Sequence, residues 1–309
     1  MSAARVLAQA KINLFLRVLA REASGYHQIE TLFQRLDLGD DVEVRTDVRG
    51  RTLDCGGEAC PPEGLGPMER NLAWRAALAY AAAAGWPQHF AIEIDKRIPV
   101  GGGLGGGSAD AAAVLRALDA LAPEPLPPER LLALAAGLGA DVPFLVSDAA
   151  LALAWGRGER LLALPALPAR RVALLQPPAS VATADAYRWV SEDREAAARA
   201  DDEPPLPRLL TPARLASWDG VVALAGNDFE GPVARRVPAV AVLADARPLF
   251  TPPLPPGVVP PIYGMSGSGA TWFLVLADDR IDLTLSDADG WRARWTTTAE
   301  RVVGVERLT

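Results

Sequence analysis

The sequence predicts a mixed α+β fold, and three observations carry that reading. Apolar residues alternate with period two around residues 6–18 and 90–94, which marks strands. Alanine- and leucine-rich stretches with helical spacing separate them, each bounded by cap or breaker residues. Beyond Pro165 the texture changes, with short apolar strands among acidic, proline-bearing segments. At 309 residues, 50% of them hydrophobic, the chain can build one large or two ordinary domains.

Taken in order, residues 6–18 place Ile12, Leu14, Leu16 and Val18 on one strand face and Lys11, Asn13 and Arg17 on the other. Lys11 and Asn13 then project side by side, on what reads as an ordinary exposed face. Ser24, Gly25, Tyr26 and His27 form a turn, and residues 28–38 and 41–46 read as two further strands. Cys55 and Cys60 lie in a Gly/Pro-rich loop. With only His27 and His89 elsewhere, soft ligands are too few for a structural zinc site, and free thiols are expected. Asn71 stands at the N-cap of a helix over 72–84 that Gly85 ends.

Phe90, Ile92 and Ile94 alternate in a strand that delivers Lys96. A helix over 108–121 presents Val114, Leu118 and Leu121 at core spacing, with Asp110 in its first turn, where a carboxylate suits the helix dipole. A further helix over 129–136 stops at a Gly137 to Pro143 stretch. There Asp141 interrupts an otherwise apolar run and is either a base lining a cavity or a helix-cap aspartate. Later, 172–175 reads as a strand, 183–190 as a short helix and 191–210 as a surface excursion. Asn227, Asp228, Phe229 and Glu230 precede a helical piece near 233–237. Residues 249–261 are too proline-rich for a helix. A second glycine-rich turn, Gly264 to Ala270, leads into a strand over 271–277.

Between the strand of Lys96 and the helix from Ser108 runs Pro99-Val100-Gly101-Gly102-Gly103-Leu104-Gly105-Gly106-Gly107-Ser108-Ala109, with six glycines. Glycine loses the most backbone entropy on ordering, so such a cluster marks backbone that approaches something closely or takes positive φ. A glycine turn opening a helix aims N–H groups and a positive dipole end at one point, which suits a phosphate chain. The Walker A pattern fails for want of a Gly-Lys-Ser/Thr. Gly101, Gly103 and Gly106 formally satisfy the dinucleotide fingerprint, but the acidic strand end about twenty residues on is replaced by a proline-rich stretch. A Cβ at Gly103 or Gly106 is expected to intrude where phosphate approaches.

The net charge of −7 argues against a nucleic acid or an acidic membrane as partner, and no apolar run approaches membrane-spanning length. A cytoplasmic location is expected. Of 31 basic residues only Lys11 and Lys96 are lysines.

The loop at Pro99 to Ala109, the Met265-Ser266-Gly267-Ser268-Gly269-Ala270 turn and Ala10-Lys11-Ile12-Asn13-Leu14 together resemble the three motifs of the GHMP kinases. Within that family, Gly25-Tyr26-His27, Thr31-Leu32-Phe33-Gln34, Asp95-Lys96 and Gly139 to Pro143 look like the members acting on cytidine diphosphate-linked methylerythritol, in non-mevalonate isoprenoid synthesis. The resemblance implies a ribosomal-protein-S5-like N-terminal domain over 1–165 and a ferredoxin-like C-terminal domain over 166–309, with ATP, Mg2+ and the small-molecule substrate in a cleft between them. It implies ATP-dependent phosphorylation of the substrate's tertiary hydroxyl, by a monomer or weak homodimer. Asp141 matches the family's base and Lys11 the cation beside it. Asn13, Tyr26 and His27 match substrate-side positions, Tyr187 a second aromatic there, and Asn71 and Lys96 positions near the nucleoside; for the metal only Ser108 offers itself as a ligand. Relatives acting on mevalonate, homoserine or a sugar, an idle nucleotide-binding module, and an oxidoreductase are the competing readings.

Overall fold

The first two strands, β1 (Ala3–Arg21) and β2 (His27–Arg45), run 19 residues each and pair antiparallel from end to end. The expected break between 38 and 41 is absent. Gly39 continues the strand opposite Gln9, where a Cβ would fall 2.8 Å from Leu7 Cγ, and Asp40 is buried. The computed structural model describes residues 2–23, 25–62, 64–199, 209–251, 259–277 and 290–308. Ser24 of the predicted turn and parts of the excursion over 191–210 and of the proline-rich stretch (200–208, 252–258) lie outside the described residues.

After β2 come β3 (Arg51–Gly56), a 3-10 turn over Met68–Arg70, α1 (Leu72–Ala84), β4 (Phe90–Asp95), α2 (Gly106–Leu121), α3 (Pro128–Leu138), α4 (Val142–Val146), β5 (Leu151–Gly156) and β6 (Arg160–Leu164). Cys55 therefore sits on a strand, opposite Ile94, and not in a loop; both cysteines are free thiols. The second half holds β7 (Arg171–Gln176), α5 (Thr183–Arg199), α6 (Pro212–Leu215), α7 (Trp218–Val222), β8 (Gly226–Asn227), α8 (Glu230–Ala234), α9 (Pro238–Asp245), α10 (Arg247–Phe250), β9 (Ile262–Met265), β10 (Trp272–Val275), β11 (Arg292–Thr297) and β12 (Glu306–Leu308). Helix α5 runs well past the predicted end at 190, into the stretch read as irregular. Arg188 pairs with Asp185 and, one turn on, with Glu192, along one face of α5.

One sheet is ordered β12-β1-β2-β4-β3, with β5 also on β2, β6 on β5 and β8 parallel to β1; the other is ordered β11-β7-β10-β9. The pair β5–β6 lacks the strict alternation that identifies strands in sequence, reading LALAWG and RLLAL. The larger core lies between the first sheet and α1, α2 and α4. A second cluster joins β7, β9 and β10 to α5, α8 and α9. Helix α2 is the central element of the larger core: Ala111, Val114, Leu115 and Leu118 are wholly enclosed. Leu115→Ala is therefore expected to lower unfolding free energy by roughly 2–5 kcal/mol in urea denaturation; an unchanged midpoint would remove α2 from that central position.

Candidate active site

The face of β1 that carries Lys11 and Asn13 is buried, not exposed: each residue is only 2% accessible. The two glycine-rich turns and Asp141 close over Lys11 and Asn13, so period two correctly places the two side chains together but not their burial. Lys11 Nζ donates to Asn13 Oδ1 at 2.8 Å and to the Gly103 carbonyl at 2.9 Å, and pairs with Asp141 Oδ2 at 3.4 Å. A buried ammonium needs such partners for its three protons. Asn13 is held in turn: its Nδ2 donates to Thr31 Oγ1 at 2.8 Å, and its Oδ1 also accepts from the Gly267 N–H at 2.8 Å. Asp141 occupies the N-cap position of α4, yet its side chain caps no N–H; the carboxylate faces Lys11 and remains 28% exposed. Asp141 thus lines a cavity and is not a side-chain helix cap.

The two glycine-rich turns interlock around this pair. Ser266 Oγ donates to the Gly103 carbonyl at 2.9 Å, Thr271 N–H to the Gly102 carbonyl at 3.2 Å, and Asn227 Nδ2 to the Met265 and Gly267 carbonyls at 2.8 and 2.7 Å. Gly101, Gly103 and Gly105 take φ of 76°, 77° and 73°, which explains their identity. The expectation for Gly103 and Gly106 is corrected. A Cβ on Gly103 would lie 2.1 Å from the Ser266 carbonyl oxygen, and one on Gly106 would lie 3.2 Å from Ile98 Cγ2, so both directions point into protein. Gly105 is the sensitive point: its Cβ would stand 3.1 Å from Lys11 Cε and 3.5 Å from Asp141 Oδ2.

Helix α2 begins at Gly106, two residues before the predicted start, with Gly105 as an N-cap that has no side chain. The N–H groups of Gly106, Gly107 and Ser108 thus have no intrahelical acceptor, and these residues line a cavity of about 500 Å3 together with Lys11, Asn71 and Asp141. Pro99, Val100 and Leu104 line it as well, whereas Ala109 turns into the core. Asn71 caps α1 as predicted, accepting from the Ala73 N–H at 2.9 Å.

Lys96, 2% exposed, pairs with Asp40 and, at 2.6 Å, with Asp110 beneath the glycine loop. Asp40 also accepts from the Arg97 and Ile98 N–H groups, which anchors the strand-to-loop junction. Asp110 sits in the second turn of α2, since the helix starts early, and its carboxylate serves Lys96 and not the helix dipole. Its other oxygen, Oδ1, has no hydrogen-bond partner among the described residues. Burial first, and the neighbouring Asp40 charge, push the Asp110 carboxyl up to about 7 against the opposing pull of Lys96.

The other predicted residues line an adjoining cavity of about 1070 Å3 that contains Tyr26, His27, Arg157 and Arg188. Ala140, Thr183 and Tyr187 line both cavities, so the two meet beside Asp141. His27 stacks on Tyr187, centroids 4.6 Å apart, and shares a hydrogen bond with Ser191 Oγ. Burial first, then Arg21 and Arg194, lower the imidazole pKa, which favours its neutral form. Tyr187 packs edge-on against Phe229, and burial, followed by the charge of Asp141, raises its hydroxyl to about 12. Tyr26 is 60% exposed, with the Arg157 guanidinium 4.1 Å from its ring centre and Glu22 bound to that guanidinium. Tyr26 and His27 therefore stand apart from the Lys11–Asp141 pair, on the far side of Tyr187.

Residues 71–149 match the family described as GHMP kinases N terminal domain. The chain is 36% identical over 300 residues to 4-diphosphocytidyl-2-C-methyl-D-erythritol kinase of Geobacter sp. (strain M21), covering 97% of this chain and 99% of that relative. The chain belongs to that kinase family. Its fold matches a crystal structure of 4-(cytidine 5'-diphospho)-2C-methyl-D-erythritol kinase with a TM-score of 0.63 and 33% identity, over 96% of this chain and 99% of the other. A homoserine kinase from Cytophaga hutchinsonii shares the fold alone, at 18% identity and a TM-score of 0.58, over 100% of this chain and 98% of that one. Membership of this kinase family implies use of ATP. Among the described residues no helix is long and apolar enough to cross a membrane.

Sequence reasoning did not single out Asp40, and it named Thr31 and Asn227 only as members of longer motifs without a role; Asp40 holds Lys96, Thr31 holds Asn13 and Asn227 holds the second glycine turn. A carboxylate inside a strand was the available signal for Asp40. The raised Asp110 carboxyl takes up a proton in the folded state where the unfolded chain has already lost it, so it makes stability fall as pH rises from about 4 to about 7. Asp110→Asn is expected to flatten that part of the profile of unfolding free energy against pH; an unaltered slope would show that Asp110 does not titrate there.

Proposed function

We propose that this chain transfers the terminal phosphoryl group of ATP to the tertiary hydroxyl of 4-diphosphocytidyl-2-C-methyl-D-erythritol, a step in isoprenoid precursor synthesis. The observation that carries this is the Lys11–Asp141 pair standing where the two cavities meet, behind a glycine loop that opens a helix. On this reading the 500 Å3 cavity takes ATP and the 1070 Å3 cavity the cytidyl end of the substrate. We also read strands β1 to β6 and helices α1 to α4 as the ribosomal-protein-S5-like domain over 1–165, to whose sheet β8 and β12 of the second half add. The sheet order β11-β7-β10-β9 supports a ferredoxin-like domain over 166–309. We place the reaction in the cytoplasm.

A hydroxyl is a weak nucleophile. Asp141 accepts its proton as the bond to phosphorus forms, and the Lys11 ammonium offsets both the developing alkoxide charge and the carboxylate. Because Lys11 is already fixed by Asn13 and Gly103, little reorganisation accompanies the reaction. N–H groups at the start of α2 hold the phosphate chain, and phosphoryl transfer depends mainly on such positioning. Asn71 borders the nucleoside, with Lys96, fixed by its two carboxylates, forming the wall behind it. Tyr26, His27 and Tyr187 offer flat rings to a pyrimidine. Ser108, at the start of α2, lines the 500 Å3 cavity and offers a hydroxyl of the hard-oxygen kind that Mg2+ takes, so it would hold the ion together with phosphate oxygens and water. When bound, it neutralises the charge of the triphosphate.

A coupled ADP-release assay over the cytidyl-linked methylerythritol, mevalonate, homoserine and galactose tests the assignment. Activity on the first is expected, and activity confined to any of the others would overturn it. Asp141→Asn should lower turnover by roughly 10²–10⁴-fold with ATP affinity retained. Lys11→Arg should also be strongly damaging, because a planar fork cannot replace a compact ammonium in this enclosure; near-normal turnover would reduce Lys11 to background charge. Gly105→Ala should lower turnover by up to about 10²-fold by displacing Lys11, while a variant with unaltered kcat would show that the pair tolerates the displacement.

A further inference from the structure

Arg35 lies outside both cavities, is 1% exposed, and pairs with no carboxylate among the described residues. Its Nη2 instead shares its two protons among three carbonyls at and beyond the end of α4, Phe144 at 2.8 Å, Leu145 at 3.0 Å and Ser147 at 2.8 Å, and its Nε donates to the Ala149 carbonyl at 2.9 Å. Burial lowers the guanidinium to about 9, so it remains cationic at neutral pH. An ion placed this way has exchanged water for the negative end of one short helix.

Helix α4 has five residues, too few to persist by its own hydrogen bonds. The residue before it is Asp141, whose carbonyl accepts from the Leu145 N–H at 3.1 Å. Across the β1–β2 ladder, Arg35 stands directly opposite Lys11, so both cations share one face of the sheet. Lys11 meets the carboxylate at the start of α4, and Arg35 meets the carbonyls at its end. Two stacked rings fill the space between: Phe33 lies 4.9 Å from Phe144, with the Lys11 ammonium 5.5 Å from the first and the Arg35 guanidinium 4.9 Å from the second.

We propose that Arg35 is a positioning residue, which fixes α4 on the sheet so that the Asp141 carboxylate meets Lys11 in the geometry the reaction needs. This rests on the reading of Asp141 as the base. A guanidinium suits this, since Nη2 serves the carbonyls at the end of α4 while Nε holds Ala149 at a second point, which the single nitrogen of a lysine does not reproduce. Removing the tie lets α4 shift or fray while the walls of both cavities stay in place, so the loss appears in the chemical step and not in binding.

The test is steady-state kinetics of wild type, Asp141→Asn, Arg35→Lys and Phe144→Leu with ATP and the cytidyl substrate, each normalised to the folded fraction by ATP-binding stoichiometry. Arg35→Lys is expected to lower kcat by roughly 10- to 100-fold, with both KM values within about twofold of wild type. Phe144→Leu, which keeps the cation but removes the ring between, should show the same split with a smaller fall. An arginine that merely stabilises the fold would lower yield and melting temperature yet leave the kcat of folded molecules alone, and a folded Arg35→Lys enzyme with kcat near wild type overturns the proposal. Should Arg35→Lys not fold, Phe144→Leu decides in the same way. If wild type is active and Asp141→Asn is not, a normal Arg35→Lys sinks this proposal alone. A wild type without the activity, or a fully active Asp141→Asn, sinks the functional reading and this proposal with it.

Discussion

Everything at the centre of this molecule depends on one buried ammonium. Lys11 Nζ is withdrawn from water and must be satisfied from within, and its partners come from widely separated parts of the chain: Asn13 on the same strand, the Gly103 carbonyl in the glycine loop and Asp141 ahead of α4. Leaving such a charge unpartnered costs several kcal/mol, so each partner's position is constrained by the others. Asn13 then passes the constraint to the second glycine turn through the Gly267 N–H, and to β2 through Thr31. The lysine thus couples the strand, both glycine turns and α4.

The backbone around it follows the same logic. Alternate glycines in left-handed conformation bring the loop back on itself, the second turn closes over it, and α2 departs with its first N–H groups uncapped beside the cavity. Beneath the loop, Lys96 stands between Asp40 and Asp110, and burial first, with the Asp40 charge adding to it, makes Asp110 hold its proton above the ordinary range. The aromatic wall of His27 and Tyr187 is a separate unit, joined to the charged centre only through residues that border both cavities.

Local pattern in the sequence was informative where the physics is local. Period two placed Lys11 beside Asn13, the N-cap preference placed Asn71, and an acidic residue in an apolar run singled out Asp141. It failed where distant segments decide. A lone lysine on a strand face reads as solvated until the glycine turns and Asp141 close over it, and 28–46 reads as two strands until Gly39 is seen to make room for Leu7. Strands β5 and β6 are specified by what they pack on, and the later half of α5 by ion pairs of Asp193 with Arg235 and Arg236 and of Arg194 with Asp228, not by their own periodicity. Arg35 gave no signal at all among many arginines, because its role comes from lying opposite Lys11 in the ladder and under the end of α4.

The most direct measurement is a crystal structure of the enzyme with the cytidyl-linked methylerythritol and a non-hydrolysable ATP analogue. The tertiary hydroxyl should lie within hydrogen-bond reach of the Asp141 carboxylate and next to Lys11 Nζ, with the terminal phosphate on the N–H groups opening α2 and the cytosine against Tyr26 and His27. A hydroxyl bound away from Asp141, or a nucleotide seated in the larger cavity, would contradict the assignment of the Lys11–Asp141 pair as the reacting centre.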